Sequence, residues 1–187
     1  MIKQNTKTFF TADLYLGHSN VIKYANRPYQ DVNQMNEALI QNWNNVVGPR
    51  DEVWVLGDFA FYSDIDRMKS IFNRLKGNKH LILGNHDRLN KMRDVGWSSI
   101  HTRYELRCKG ETIVLDHFCL RTWNKAHHGA WHLHGHSHGT LEHTDNELAL
   151  DVGVDCFNYT PVEFEEIKKI MSTRKFVPVD HHGAREI

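Results

Sequence analysis

Ligand-type side chains recur where apolar runs of the chain end. Asp13 follows the run Lys7 to Ala12, Gly57-Asp58 follows Glu52 to Leu56, and Gly84-Asn85-His86-Asp87 follows His80 to Leu83. Asp116-His117 and Gly135-His136-Ser137-His138 close two later runs. Carboxylate, amide and imidazole groups hold transition metals, and imidazole carries protons near neutral pH. A single Asp after a strand is most often a turn former or cap, and Gly-Asp alone is a common turn. Gly-Asn-His-Asp is more specific, because Asn and His together are unusual at the end of an apolar strand. Gly-His-Ser-His is stronger still: two imidazoles one residue apart in a turn reach two metals, or two positions around one. Histidine is the one unusual count, at 14, and five of these lie between His128 and His138.

These residues need elements to position them. Lys7 to Ala12, Glu52 to Leu56 and His80 to Leu83 read as strands that stop at the polar ends named above. Between them, Ser19 caps a short helix through Tyr24, and Arg27-Pro28 breaks it. Asp31 starts a second helix with Met35, Leu39, Trp43 and Val46 at helical spacing, ended by Gly48-Pro49. Ile65 to Leu75 reads as a third, with Gly77 as its stop. Strands alternating with helices favour parallel pairing with helical crossovers. Further on, Tyr104 to Cys108 and Thr112 to Asp116 flank Lys109-Gly110, a hairpin signal. Trp131 to His134 and Glu147 to Val152 read as more strands, and Pro161 to Met171 as a last helix with Pro in its first turn. The expectation is one α/β domain over residues 1–187, with two mixed β-sheets inside and helices outside, a core from about 7 to 172 and a tail over 173–187. Ligands in open α/β folds bind outside the carboxyl ends of parallel strands, so the five polar ends belong to one shared site.

Composition narrows the classes. The chain has 187 residues, 40% hydrophobic and 25% charged, as expected for a globular domain with a buried core. Lys plus Arg (23) equals Asp plus Glu (23), so no broad basic surface for non-specific nucleic-acid binding is implied. Cys108, Cys119 and Cys156 are odd in number and show no CxxC spacing, which argues against a disulfide framework or a cysteine-based zinc site. No apolar run approaches the roughly 20 residues that span a membrane, and Met1 to Lys7 is polar. A cytoplasmic protein without membrane partners is the expectation.

Taken in order, these motifs resemble those of the calcineurin-like metallophosphoesterase superfamily, in particular its small bacterial and phage-type branch. The matching pieces are Asp13-Leu14-Tyr15 with Gly17-His18, Gly57-Asp58, Gly84-Asn85-His86-Asp87, His117, and Gly135-His136-Ser137-His138. Asp151-Val-Gly-Val-Asp155 and Asn158-Tyr159 also fit, so the resemblance runs from Phe9 to about Ile170. It implies an αββα sandwich and a two-metal site. Asp58 would bridge both ions, Asp13 and His138 would hold the first, and Asn85, His117 and His136 the second. Such a donor set suits Mn²⁺ first, with Fe or Zn²⁺ as alternatives. Two ions roughly 3.5–4 Å apart polarise phosphoryl oxygens and activate a bridging water as nucleophile. By the same resemblance His86 contacts the phosphate and assists the leaving oxygen, with Asp87 as partner to its imidazole. His18 is a further candidate there, and Arg27, Arg88 and Arg121 are candidates to grip phosphate bidentately.

One residue departs from the resemblance. The first motif is normally Asp-x-His, and Tyr15 stands where that His would complete the first metal site. Three readings stay open: a phenolate ligand suited to ferric iron, a position left to water, or a weakened site. The implied activity is hydrolysis of a phosphomonoester or phosphodiester, with nucleotides or nucleic acid among the substrates. The alternative is a catalytically impaired fold serving as a binding module. The side chains name no particular substrate, nor an oligomeric state.

Overall fold

The computed structural model describes residues 6–177 and residue 179; the expected tail lies mostly outside the described residues. Among the described residues nine strands form two mixed sheets flanked by helices. In the first sheet β1 (Thr8–Thr11), β2 (Glu52–Leu56), β3 (Asn78–Ile82) and β4 (Ser99–His101) run parallel. β9 (Val162–Glu163) joins the other edge of β1 antiparallel, giving the order β4-β3-β2-β1-β9. The second sheet is β5 (Arg103–Cys108), β6 (Glu111–Asp116), β7 (Trp131–His134) and β8 (Ala149–Asp151) in chain order. The β5–β6 pair is the expected hairpin; Lys109 and Gly110 both sit at positive φ, which a tight turn of matching twist requires. β6, β7 and β8 are parallel.

The helices are α1 (Ser19–Tyr24), α2 (Val32–Val46), α3 (Ile65–Arg74), α4 (Leu89–Met92) and α5 (Phe164–Ser172). Asp31 caps α2 by accepting from the amides of Asn33 and Gln34. Ser19 is not the cap of α1: it is the first helical residue, and His18 precedes it in extended conformation without a capping bond. Pro161 does not open α5. Val162 and Glu163 instead pair with Phe10 and Phe9, and the helix begins at Phe164. Proline suits the position before an edge strand as well as a helix start, so its presence could not separate the two. Val46 is 40% exposed, and Val47 just beyond the helix is buried in its place.

Period-2 alternation assigns each strand residue of the first sheet to a side. Phe9, Val53, Val55 and Leu81 face α2 and α3, meeting Met35, Leu39, Trp43, Met68 and Phe72. Phe10, Trp54, Leu56 and Ile82 face the other way, onto Ile113, Leu115, Leu133 and α5. The outer face of the second sheet is covered by the 118–130 segment, not a long helix. There Trp123 bonds the carbonyl of Ala130, and the Leu120 amide donates to Nε2 of buried His132. Among the described residues no helix is long and apolar enough to cross a membrane.

Thr11 is fully buried, and its Oγ1 has no hydrogen-bond partner. An unpaired buried hydroxyl costs about 1–3 kcal/mol. Thr11→Val keeps the β-branched shape and is expected to raise the unfolding free energy by about 1 kcal/mol in urea melts. A loss of stability would mean the hydroxyl is satisfied.

Candidate active site

β1, β2 and β3 run parallel and end together, so the residues that follow them meet. Asp13, Asp58 and His117 are all buried, and each offers a ligand atom within 4.8 Å of the others. Asp13 Oδ2 accepts the His136 amide at 2.8 Å, while its Oδ1 is buried without a partner. Burial, then the charges of Asp58 and Asp151, push the Asp13 carboxyl well above its usual pKa.

Acceptors face acceptors here. Nδ1 of His117 donates to the Leu56 carbonyl at 2.8 Å, so the lone pair of a neutral ring is on Nε2. That Nε2 lies 2.9 Å from Asn85 Oδ1 and 3.5 Å from Asp58 Oδ2. Asn85 Oδ1 is also 3.1 Å from His136 Nδ1. His138 Nδ1 is held by Asp155 Oδ2 at 2.7 Å, which orients its ring. A carboxylate behind an imidazole is the usual support of a metal-ligating histidine. Of the six residues expected to bind metal, Asp13, His117 and His136 thus stand directly about Asp58 and Asn85, and His138 joins them through the ring of Tyr15.

Tyr15 faces this cluster. Its hydroxyl donates to Asp58 Oδ2 at 2.6 Å, and burial, then that bond, raise the phenol's pKa further above its normal value. The phenol is therefore protonated in this arrangement. Its ring lies 5.5 Å from that of His138 and 5.4 Å from that of His18. His18 packs on Phe61 at 4.4 Å, with its Nδ1 buried and unbonded. His86 is exposed at the rim, near the rings of Tyr15 and Phe61, and its amide donates to Asp58 Oδ1 at 3.0 Å.

Three roles expected from sequence are corrected. Asp87 does not partner the His86 ring. Its Oδ2 takes the amides of Asp58 (2.8 Å) and Gly84 (3.0 Å) and its Oδ1 that of Phe59 (3.2 Å), so it ties the loops after β2 and β3 together. Burial nevertheless lifts its carboxyl to about 6. Arg27 does not grip substrate. It is 4% exposed, bonds both carboxylate oxygens of Asp155 at 2.8 Å, and donates to the carbonyls of Asp13 and Leu14. It braces the Asp13 loop from behind. Arg121 is exposed and lines a different cavity, with Cys119 and His143. Arg88 is the arginine beside the site: with His86, Asn85, Phe61 and Lys91 it borders a cavity of about 320 Å³.

The backbone records the same concentration. Ten described non-glycine residues have positive φ, and Asp13, Tyr15, Asp58, His136 and His138 are five of them. Such conformations cost energy and persist where the surroundings impose them. Gly84 is a matter of room: a Cβ there would collide with Oδ1 and the amide nitrogen of Asp58. Motif reading gives Asp155 no role. It joins Arg27 to His138, and the only sequence signal for it was its place in Asp151-Val-Gly-Val-Asp155.

An α/β protein with an acid–histidine cluster at the carboxyl ends of its parallel strands is the class that fold and site define. The sequence is 31% identical over 179 residues to the uncharacterized protein MJ1445 of Methanocaldococcus jannaschii, covering 91% of this chain and 94% of that protein. The chain belongs to the same family as MJ1445. It is also 29% identical over 183 residues to the gene 66 protein of Mycobacterium phage L5, spanning 81% of this chain and 88% of the phage protein. No protein-family model matches. Among solved structures, that of AQ665, a protein of unknown function from Aquifex aeolicus, superposes with a TM-score of 0.70 at 20% identity, over 89% of this chain and 100% of that one. This is a likeness of fold.

The Arg27–Asp155 pair is buried on both sides. Removing one partner of such a pair typically costs about 3–5 kcal/mol, whereas replacing both by apolar groups costs far less. Arg27→Ala is expected to lose that much in urea denaturation, and Arg27→Met with Asp155→Leu to recover most of it. Equal losses in the two would show that the pair is not the brace.

Proposed function

We propose that the chain is a calcineurin-like metallophosphoesterase, a hydrolase of phosphate mono- or diesters that works with two transition-metal ions, Mn²⁺ foremost. One observation carries this reading: buried Asp13, Asp58 and His117 converge with Asn85 so that oxygen and nitrogen acceptors confront one another. Two buried carboxylates and an imidazole lone pair repel unless protons or cations lie among them. The unpartnered Oδ1 of Asp13 fits the same need. Asp13, Asp58 and His138 would hold one ion, and Asp58, Asn85, His117 and His136 the other. Such ions supply Lewis-acid polarisation of phosphoryl oxygens and an activated water.

The chain's own groups supply the rest. Asp155 and the Leu56 carbonyl fix the rings of His138 and His117 through Nδ1, so Nε2 is the remaining donor atom of each. His86, exposed at the rim, is placed to protonate or bind the leaving oxygen. Arg88 and Lys91 bring positive charge to the neighbouring cavity, whose size suits a small phosphate ester such as a nucleotide. Three free cysteines suit a reducing, cytoplasmic setting.

The decisive experiment is turnover of chromogenic phosphate mono- and diesters with and without Mn²⁺. Metal-dependent hydrolysis is expected, and Asp58→Asn should abolish it more completely than any other single ligand change while circular dichroism shows the fold retained. A wild-type chain that binds Mn²⁺ yet turns over neither ester would refute the assignment.

The second reading, a binding module with an impaired centre, is favoured by one contact, the Tyr15 hydroxyl on Asp58 Oδ2. A metal must displace that proton donor. Hydrogen bonds to charged groups contribute about 1.5–3 kcal/mol, so Tyr15→Phe is expected to tighten Mn²⁺ binding by about tenfold or more in calorimetry, and to raise activity at limiting metal. Unchanged affinity would mean that the phenol does not compete.

A further inference from the structure

A second group of donors lies outside the acid–histidine site. Cys119, His134 and His143 each present a ligand atom within 4.8 Å of the others. His134 ends β7 and is fully buried. Its Nδ1 lies 2.8 Å from the Gly135 carbonyl, which can only accept, so the ring's proton is on Nδ1 and its lone pair on Nε2. That Nε2 points at Nε2 of His143, 2.7 Å away. Nδ1 of His143 lies 3.3 Å from the Glu147 carboxylate, again an acceptor, which favours the second ring's proton on its outer side too. Two neutral imidazoles held this way confront each other lone pair to lone pair. A separation of 2.7 Å is tolerable only with a proton or a metal ion between them.

We propose that Cys119, His134 and His143 form a Zn²⁺ site distinct from the acid–histidine cluster, clipping the 140–147 segment to the end of β7. Outer oxygens that fix both rings through Nδ1 are the usual support of ligating histidines. One thiolate and two imidazoles suit Zn²⁺ over Mg²⁺ or Ca²⁺. With Zn–N bonds of about 2.0–2.1 Å, tetrahedral ligands stand about 3.3 Å apart. His143 would therefore draw back by about half an ångström, which the irregular segment carrying it permits. Cys119 and His143 border a cavity of about 370 Å³, so the fourth position is open to water. The three ligands come from separate segments, 15 and 9 positions apart along the chain. No cysteine motif announces them.

The test uses Co²⁺ in place of Zn²⁺. The acid–histidine cluster contains no sulfur donor, so a thiolate-to-cobalt charge-transfer band in the near ultraviolet reports this site alone. The full chain is expected to develop the band with one equivalent of Co²⁺, and to lose it when Zn²⁺ is added. The band should persist in Asp58→Asn and in Cys156→Ser and vanish in Cys119→Ser. His143→Gln, altered in the irregular segment, should weaken Zn²⁺ binding by about tenfold or more, with circular dichroism unchanged. No band in the wild-type chain would mean that a shared proton alone joins the two rings. A band that survives Cys119→Ser, or is lost in Cys156→Ser, would equally overturn the site.

Discussion

The carboxylate of Asp58 is where the loops of the site are fastened to one another. Its Oδ1 accepts the amide of His86 from the loop after β3, and its Oδ2 the hydroxyl of Tyr15 from the loop after β1. Its own amide donates to Asp87, and its carbonyl accepts the Tyr15 amide. Gly84 leaves no space for a side chain against it. At 2% exposure the group would be costly to bury as an anion without these donors. The donors offset part of that cost and also fix the loops. What they leave uncompensated is the neighbouring Asp13, whose Oδ1 has no donor at all. A pocket built this way is pre-arranged for positive charge, and its geometry does not wait for a ligand.

Placing Asp58 opposite His117 and His136 requires two sheets, because β2 lies in one and β6 and β7 in the other. The residues that bring the sheet ends together are ordinary core residues. Leu56 and Ile82 on one side meet Leu115 and Leu133 on the other, each one or a few positions before a site residue. Packing of these apolar side chains thus sets the separation of the polar ones that follow. The left-handed conformations of Asp13, Tyr15, Asp58, His136 and His138 are the local cost of turning each chain sharply at the point where the core ends.

That arrangement explains which parts were legible in the sequence. β2 and β7 are fully apolar or alternating runs closed by a turn residue, and both were readable to the residue. Such a run also locates the polar residue after it, which is why Asp58 and His136 stood out. β4 and β9 were not legible: three and two residues carry too little periodicity, and only their pairing with β3 and β1 defines them. The roles of Arg27, Asp87 and Asp155 were hidden for a different reason. Arg27 and Asp87 are charged residues among polar neighbours, the same signature as a solvated surface group, and Asp155 is a single acid among Val154, Cys156 and Phe157; only tertiary contacts make each a brace. The Cys119, His134 and His143 donors were illegible for lack of any spacing to read.

The end of β7 contributes a histidine to each donor group, His134 to one and His136 to the other. His134 points to the outer face of the second sheet, while His136, two residues on, gives its amide to Asp13. Between them Gly135 is bound at both sides: its amide donates to the His117 carbonyl and its carbonyl accepts from His134. A ring held by an ion at His134 would therefore pull on the 135–136 peptide, whose amide seats Asp13, and through Gly135 on the preceding peptide, whose amide meets the His117 carbonyl. By linkage, an ion at one centre that stiffens this peptide must favour the other centre to the same degree that the other favours it. The span is two residues of already hydrogen-bonded backbone, so little conformational freedom remains to be lost there. The coupling between ions at the two proposed centres would accordingly be weak, and the centres would fill nearly independently.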